Sequence, residues 1–201
     1  MAQKRTKRSR LPAEERRQQL LDAAAGVILD HGFDDLTMEA ITDRAGVSKA
    51  LGYAYFDRLE DLLHELHTRE FSVIYERLIP IMLSDESIEN RLESKVRTYF
   101  EIISERHDLY LSLNQNLQGP TYRQERKERH AKWEQFVADV VAREFVIDAD
   151  ESRVVARLLM VLDDRCVSMW TRGGRPREEM EDFAIRFQLA ALEGLYERRS
   201  D

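Results

Sequence analysis

Residues 32 to 63 read GFDDLTMEAITDRAGVSKALGYAYFDRLEDLL, and the fold is decided here. Ala45-Gly46-Val47-Ser48 sits between two short amphipathic segments. Before it, Met38 to Ala45 turns Ala40, Ile41 and Ala45 to one side, and Thr37 is a suitable N-cap. After it, Ser48 caps a segment running to about Phe56. Gly46 permits a left-handed backbone without a Cβ clash, and Val47 can fill the crease between two steeply crossing helices. The pattern predicts a helix-turn-helix.

Upstream, Ala13, Glu14 and Glu15 place acids in the first turn of a helix that should start after Pro12, where the helix dipole favours them. Leu20, Ala24, Val27 and Ile28 form its buried stripe, and His31-Gly32 should close it. Downstream, Leu59, Leu62, Leu63, Leu66 and Phe71 predict a longer helix ending near Pro80. Further helices are expected over 88–106, 108–117, 122–145, 151–171 and 176–198, with breaks at Gly119-Pro120 and Gly173-Gly174. The expected class is all-α with about nine helices, divided into a basic arm (1–12), a three-helix domain (13–58) and a helical body (59–201).

The formal charge of −7 over 201 residues argues at first against a nucleic-acid partner. Its distribution changes that reading. Lys4, Arg5, Lys7, Arg8 and Arg10 give the arm +5 with no acid, whereas residues 13–60 carry −5 and residues 61–201 carry −7. Such an arm is either a solubilising tail or a flexible segment that reaches phosphates or a minor groove. No apolar run is long enough to span a membrane, and no cleavable leader is evident, so the chain reads as cytoplasmic. A lone Cys166 and five scattered His provide no metal-ligand spacing. With no Gly-rich phosphate loop or nucleophile elbow either, no enzyme and no cofactor is expected.

The stretch from Arg17 to Leu63 resembles the DNA-binding domain of TetR-type transcriptional regulators. Gly32-Phe33, Leu36-Thr37, Ile41, Ala45-Gly46-Val47-Ser48-Lys49, Tyr53, Tyr55-Phe56 and Glu60-x-Leu62 carry the resemblance. It implies a double-stranded DNA operator as partner, read by Lys49, Ala50 and Tyr53. Thr37, Ser48 and Tyr55 would meet the phosphates, with Arg58 standing in for a lysine usual where this chain has Leu59. Arg16, Arg17 and Arg44 are further local cations. Two more departures are Thr42, where a small residue is usual, and Gly52, where a large aliphatic is usual. They are expected to face each other and compensate in volume. Gly52 still costs about 1 kcal/mol of helix propensity relative to Ala.

The helices expected over 151–171 and 176–198 are apolar on two sides, which one chain cannot readily cover. Val154, Leu158, Arg165, Phe183, Phe187, Ala190, Ala191 and Gly194 are therefore expected at a four-helix interface of a homodimer, as the resemblance also implies. Asp163 and Arg165 interrupt the apolar surface, so each needs a partner across that interface or a wet cavity to line. Tyr99, Phe100, His107, Tyr110, Asn114, Trp133, Phe136, Met160, Asp163 and Trp170 are candidates for a mainly apolar ligand pocket. The expected function is a repressor released from a palindromic operator by a hydrophobic or amphipathic small molecule. The alternative is a helical dimeric adaptor that has lost specific DNA binding, for which Gly52, Leu59 and the acidic domain are the evidence.

Overall fold

The computed structural model describes residues 11–117 and 119–199, excepting the side chains of Asn114 and Thr121. The basic arm, Lys4 to Arg10, therefore lies outside the described residues, as does the Asn114 side chain. The described chain is all-α, with eight helices: α1 (Ala13–His31), α2 (Met38–Ala45), α3 (Lys49–Tyr55), α4 (Leu59–Met82), α5 (Ile88–Asn116), α6 (Pro120–Glu144), α7 (Ala149–Thr171) and α8 (Arg177–Leu195). None is long and apolar enough to cross a membrane.

Two expected boundaries are corrected. The segments 88–106 and 108–117 are one helix, α5, because nothing between Ile88 and Leu117 is Gly or Pro and His107-Asp108 is no obstacle to a helix. That gives eight helices rather than about nine. The α4 helix also passes through Pro80 and ends two residues later at Met82. So near the C-terminus the proline forfeits little of the backbone ladder.

The chain divides into two compact units. Unit 1 holds residues 11–69 and 108–117, and unit 2 holds 70–107 and 119–199. In unit 1, α2 packs on both α1 and α3. Leu20, Leu21, Ala24, Ile41, Leu62, Leu66 and Leu113 are fully buried there, with Phe56 close to it. In unit 2, α7 packs against α6 and α8, around a core that includes Val96, Phe100, Ile102, Phe145, Ala156 and Leu192. Asp148 opens α7 two residues before the expected start by accepting the N–H groups of Asp150 and Glu151. Beyond α8 the chain pairs back across a single antiparallel bridge, Phe145 with Arg198. Val146 N–H donates to Glu197 O and Arg199 N–H to Glu144 O, both at 2.8 Å.

Unit 2 also resolves the interrupting acid. Asp163, expected to need a partner across the interface or a wet cavity, finds its partners within its own chain. Lys95 Nζ donates to Asp163 Oδ2 at 2.6 Å and to Gln188 Oε1 at 2.9 Å, while Gln188 Nε2 donates to Asp163 Oδ1. All three residues are buried, and the ring of bonds ties α5, α7 and α8 together. Burying a carboxylate is tolerable only with such compensation.

Candidate nucleic-acid interface

The turn between α2 and α3 follows from its residues. Gly46 adopts φ 65° and ψ 36°, its N–H donates to Asp43 O and Thr42 O, and Val47 N–H donates to Thr42 O at 2.9 Å. A left-handed Gly just past the helix is what satisfies these last carbonyls. Thr37 Oγ1 accepts from Ala40 N–H, and Ser48 Oγ from Leu51 N–H, so both predicted N-caps are in place. The α3 helix buries Gly52 and turns Lys49, Ala50 and Tyr53 outward, with Tyr53 47% exposed. Residues spaced i, i+1 and i+4 share one helix face, so these three make a continuous exposed surface. Tyr55 is half-buried, and Phe56 is core.

Thr42 and Gly52 do face each other. A Cβ added at Gly52 would lie 2.6 Å from Thr42 Cγ2 and 2.8 Å from Met38 Sδ. Thr42 cannot easily turn away, because its hydroxyl donates to Met38 O at 2.8 Å and its branched Cβ restricts χ1. The glycine in α3 is therefore a packing requirement: only a residue without Cβ lets α3 approach α2 this closely.

The cations around this surface are held by acids. Lys49 Nζ lies 3.1 Å from Glu39 Oε2, and Arg58 Nη2 lies 2.8 Å from Asp61 Oδ1. The Asp61 hydrogen bond raises the Arg58 guanidinium, and in return Asp61 is held below its usual carboxylate range. Arg44, expected as a phosphate contact, instead lies across α1 at Gly26 and pairs with Asp30 at 2.6 Å. Arg17 is likewise structural. It bonds Glu65 on α4, donates to Tyr55 O at 3.1 Å and stacks its guanidinium 4.4 Å from the Phe56 ring centre, clamping the end of α3 to α1. Arg16 donates to Gln19 Oε1. Helical position alone gave no sign of the partners of Arg44 and Arg17, since Asp30 and Glu65 lie on other helices.

The residues expected at a pocket are only partly brought together. Tyr110 is buried within unit 1, and the others described lie in unit 2. There Phe100 is fully buried and stacks on Trp170 at 5.8 Å, while Trp133 stacks on Phe136 at 5.1 Å and meets Tyr75 at 4.9 Å. His107 and Met160 are half-buried. Two polar residues were missed, Asp164 and His130. Tyr99 Oη donates to Asp164 Oδ1 at 2.6 Å. Asp164 keeps exposed surface yet is closely surrounded, and burial raises its carboxyl against the opposing Tyr99 hydrogen bond. Burial, then Arg126, lowers the nearby His130. The expected interface residues Val154, Leu158, Arg165, Phe183, Phe187, Ala190 and Gly194 are all exposed on α7 and α8, with Ala191 half-buried, and Leu158 is 63% exposed.

Residues 20–66 match the family described as bacterial regulatory proteins, tetR family. The chain is 27% identical over 170 residues to the HTH-type transcriptional activator FasR of Mycolicibacterium smegmatis, covering 84% of this chain and 78% of that protein. It is also 27% identical over 91 residues to the fatty acid metabolism regulator protein of Bacillus subtilis, covering 45% of this chain and 47% of that one. Among solved structures, a tetR-family transcriptional regulator from Streptomyces coelicolor superposes with a TM-score of 0.74 at 23% identity, over 92% of this chain and 83% of that one. The fatty acid degradation regulator FadR from Bacillus halodurans superposes at 0.69 and 20% identity, over 96% and 100%. These relatives are named as regulators of transcription, and the stretch of the chain that holds its helix-turn-helix matches the tetR family of bacterial regulatory proteins.

Proposed function

We propose that the chain is a cytoplasmic homodimer that binds a palindromic operator and is released from it by a hydrophobic or amphipathic small molecule. The observation that carries the DNA-binding half is the exposed Lys49, Ala50 and Tyr53 face of α3, presented beyond the left-handed turn at Gly46. Lys49 can donate to a guanine, and Ala50 can contact a thymine methyl. Thr37, Ser48, Tyr55 and Arg58 are positioning contacts to phosphate. The Thr42–Gly52 fit removes one argument for an adaptor without specific binding, since Gly52 serves the packing of the motif. Selecting bound sequences from random duplex DNA tests this reading. A recovered inverted repeat supports it, while salt-sensitive binding with no preferred sequence returns the chain to the adaptor.

Repression is the mode proposed. Activation is the second reading, favoured by the Mycolicibacterium smegmatis relative, which is named as an activator. Two of the similar proteins are named for fatty acid metabolism, so compounds with a long acyl chain are the first ligands to try. The stacked pairs Phe100–Trp170 and Trp133–Phe136 are the apolar groups such a ligand would meet in this reading, and Tyr99, Asp164 and His130 the polar ones. A screen for release from the selected operator decides the ligand class.

Deleting residues 1–10 should weaken binding to every duplex. If all five cations meet phosphates, the slope of log K against log salt should fall in magnitude by roughly 4. An unchanged slope would make the arm a solubilising tail. For the proposed dimer, Leu158→Ala should raise the dissociation constant measured by sedimentation roughly ten-fold, since its side chain, exposed in the single chain, would be buried by a partner protomer. A dimer of unaltered affinity would remove α7 from the interface.

A further inference from the structure

The ion pair between Glu39 and Lys49 joins the first turn of α2 to the first residue of α3, and neither member is buried: the side chains are 68% and 53% exposed. We propose that Glu39 is a specificity-determining residue, withholding Lys49 from nonspecific DNA and releasing it only to an operator base. The proposal rests on the reading of α3 as a DNA-contacting helix.

A random duplex offers the Lys49 ammonium a phosphate in place of a carboxylate it already holds. One exposed anion replaces another, and the ordinary worth of such pairs is small. The exchange therefore gains almost nothing, and Lys49 stays on Glu39. A guanine in register offers two acceptors, O6 and N7, where a phosphate offers only another exposed anion. There the exchange is favourable. The same economy holds around the motif, where Arg44, Arg58 and Arg17 are on Asp30, Asp61 and Glu65. Glu39 differs from those acids in that the cation it holds sits on the exposed face of α3.

The test uses the full chain as wild type, Glu39→Gln, Lys49→Ala and the double variant, titrated by fluorescence anisotropy onto one fixed random-sequence duplex over a range of salt. On the random duplex Lys49→Ala is expected to weaken binding less than about two-fold while Glu39 is present, and roughly two- to five-fold in the Glu39→Gln background. Glu39→Gln should tighten binding roughly two- to five-fold, with the slope steeper by about 0.9 for one added phosphate contact. The double variant should return to wild type. On a selected operator, Lys49→Ala should instead lose roughly ten-fold in affinity. The proposal is overturned if Lys49→Ala weakens random-duplex binding as much with Glu39 present as without it. It is equally overturned if Glu39→Gln tightens binding to the same extent in the Lys49→Ala background, because the acid then acts by plain repulsion of phosphate. Asp22→Asn, which breaks the Asp22–Arg69 pair between α1 and α4, makes the same change of charge without touching Lys49 and should leave the Lys49 comparison unaltered. A wild-type chain that binds no duplex defeats the DNA-binding reading itself, an outcome distinct from either of these.

Discussion

Asp163→Ala should destabilise the protein by about 3–5 kcal/mol, because it strands a buried ammonium. Lys95 and Gln188 would lose their shared acceptor in a space where neither can reach water: Gln188 is fully buried and Lys95 8% exposed. Urea denaturation at one protein concentration measures the loss, since a dimer's midpoint moves with concentration. The complementary variant separates the cost of a broken pair from the worth of an intact one. Replacing both members, Lys95→Met with Asp163→Leu, should bring stability back to within about 1–2 kcal/mol of wild type or beyond it, since buried ion pairs are frequently no better than well-packed apolar groups. A single variant that loses less than about 1 kcal/mol would mean that water enters the site and that the three-residue ring is not closed in solution. What the ring contributes beyond energy is register: only one arrangement of α5, α7 and α8 lets all three side chains meet.

Gly52→Ala should also destabilise, although Ala is the better helix former. The gain in propensity is about 1 kcal/mol, but the new Cβ would stand 2.6 Å from Thr42 Cγ2, a methyl held in place by the hydroxyl bond to Met38 O. Overpacking of this kind costs about 1–3 kcal/mol, and the shift it forces is a displacement of α3 from α2. Operator affinity should fall with it, because the spacing of Lys49, Ala50 and Tyr53 depends on where α3 sits. Thr42→Ala in the same chain removes the obstructing methyl, and the double variant should recover both stability and binding. Gly52→Ala as stable as wild type would show that the two helices have room to part, and the close fit would then have no consequence for the reading surface.

These two cases show what was legible in the sequence and what was not. The helix-turn-helix was, because its signals are local: Thr37 and Ser48 bond groups three residues away, and Gly46 turns within its own four residues. The pairing of Thr42 with Gly52 was also readable, since both depart from the usual pattern at positions that face across one turn. The partners of Asp163 were hidden by distance along the chain, Lys95 being 68 positions away and Gln188 a further 25 beyond the acid. A signal for Lys95 did exist. It falls within the stripe Leu92, Val96 and Tyr99, where a lysine on the buried side of a helix already asks for an acid. The engagement of Arg17 and Arg44 was out of reach for a different reason. Basic residues near a reading helix look alike whether they face phosphates or a neighbouring carboxylate, and only the packing of α1 against α2 and α4 tells them apart.

Unit 1 is not contiguous, since residues 108–117 belong with residues 11–69 while everything between belongs to unit 2. During synthesis the helix-turn-helix therefore leaves the ribosome well before Leu109, Tyr110, Leu113 and Leu117, which complete the unit's buried interior. Until α5 has been made, the nascent chain carries a recognisable reading head on an unfinished base. Chains that fold as units in order of emergence have to wait here. A translational pause between residues 70 and 107 would lengthen the interval in which that base is open to chaperones or proteases.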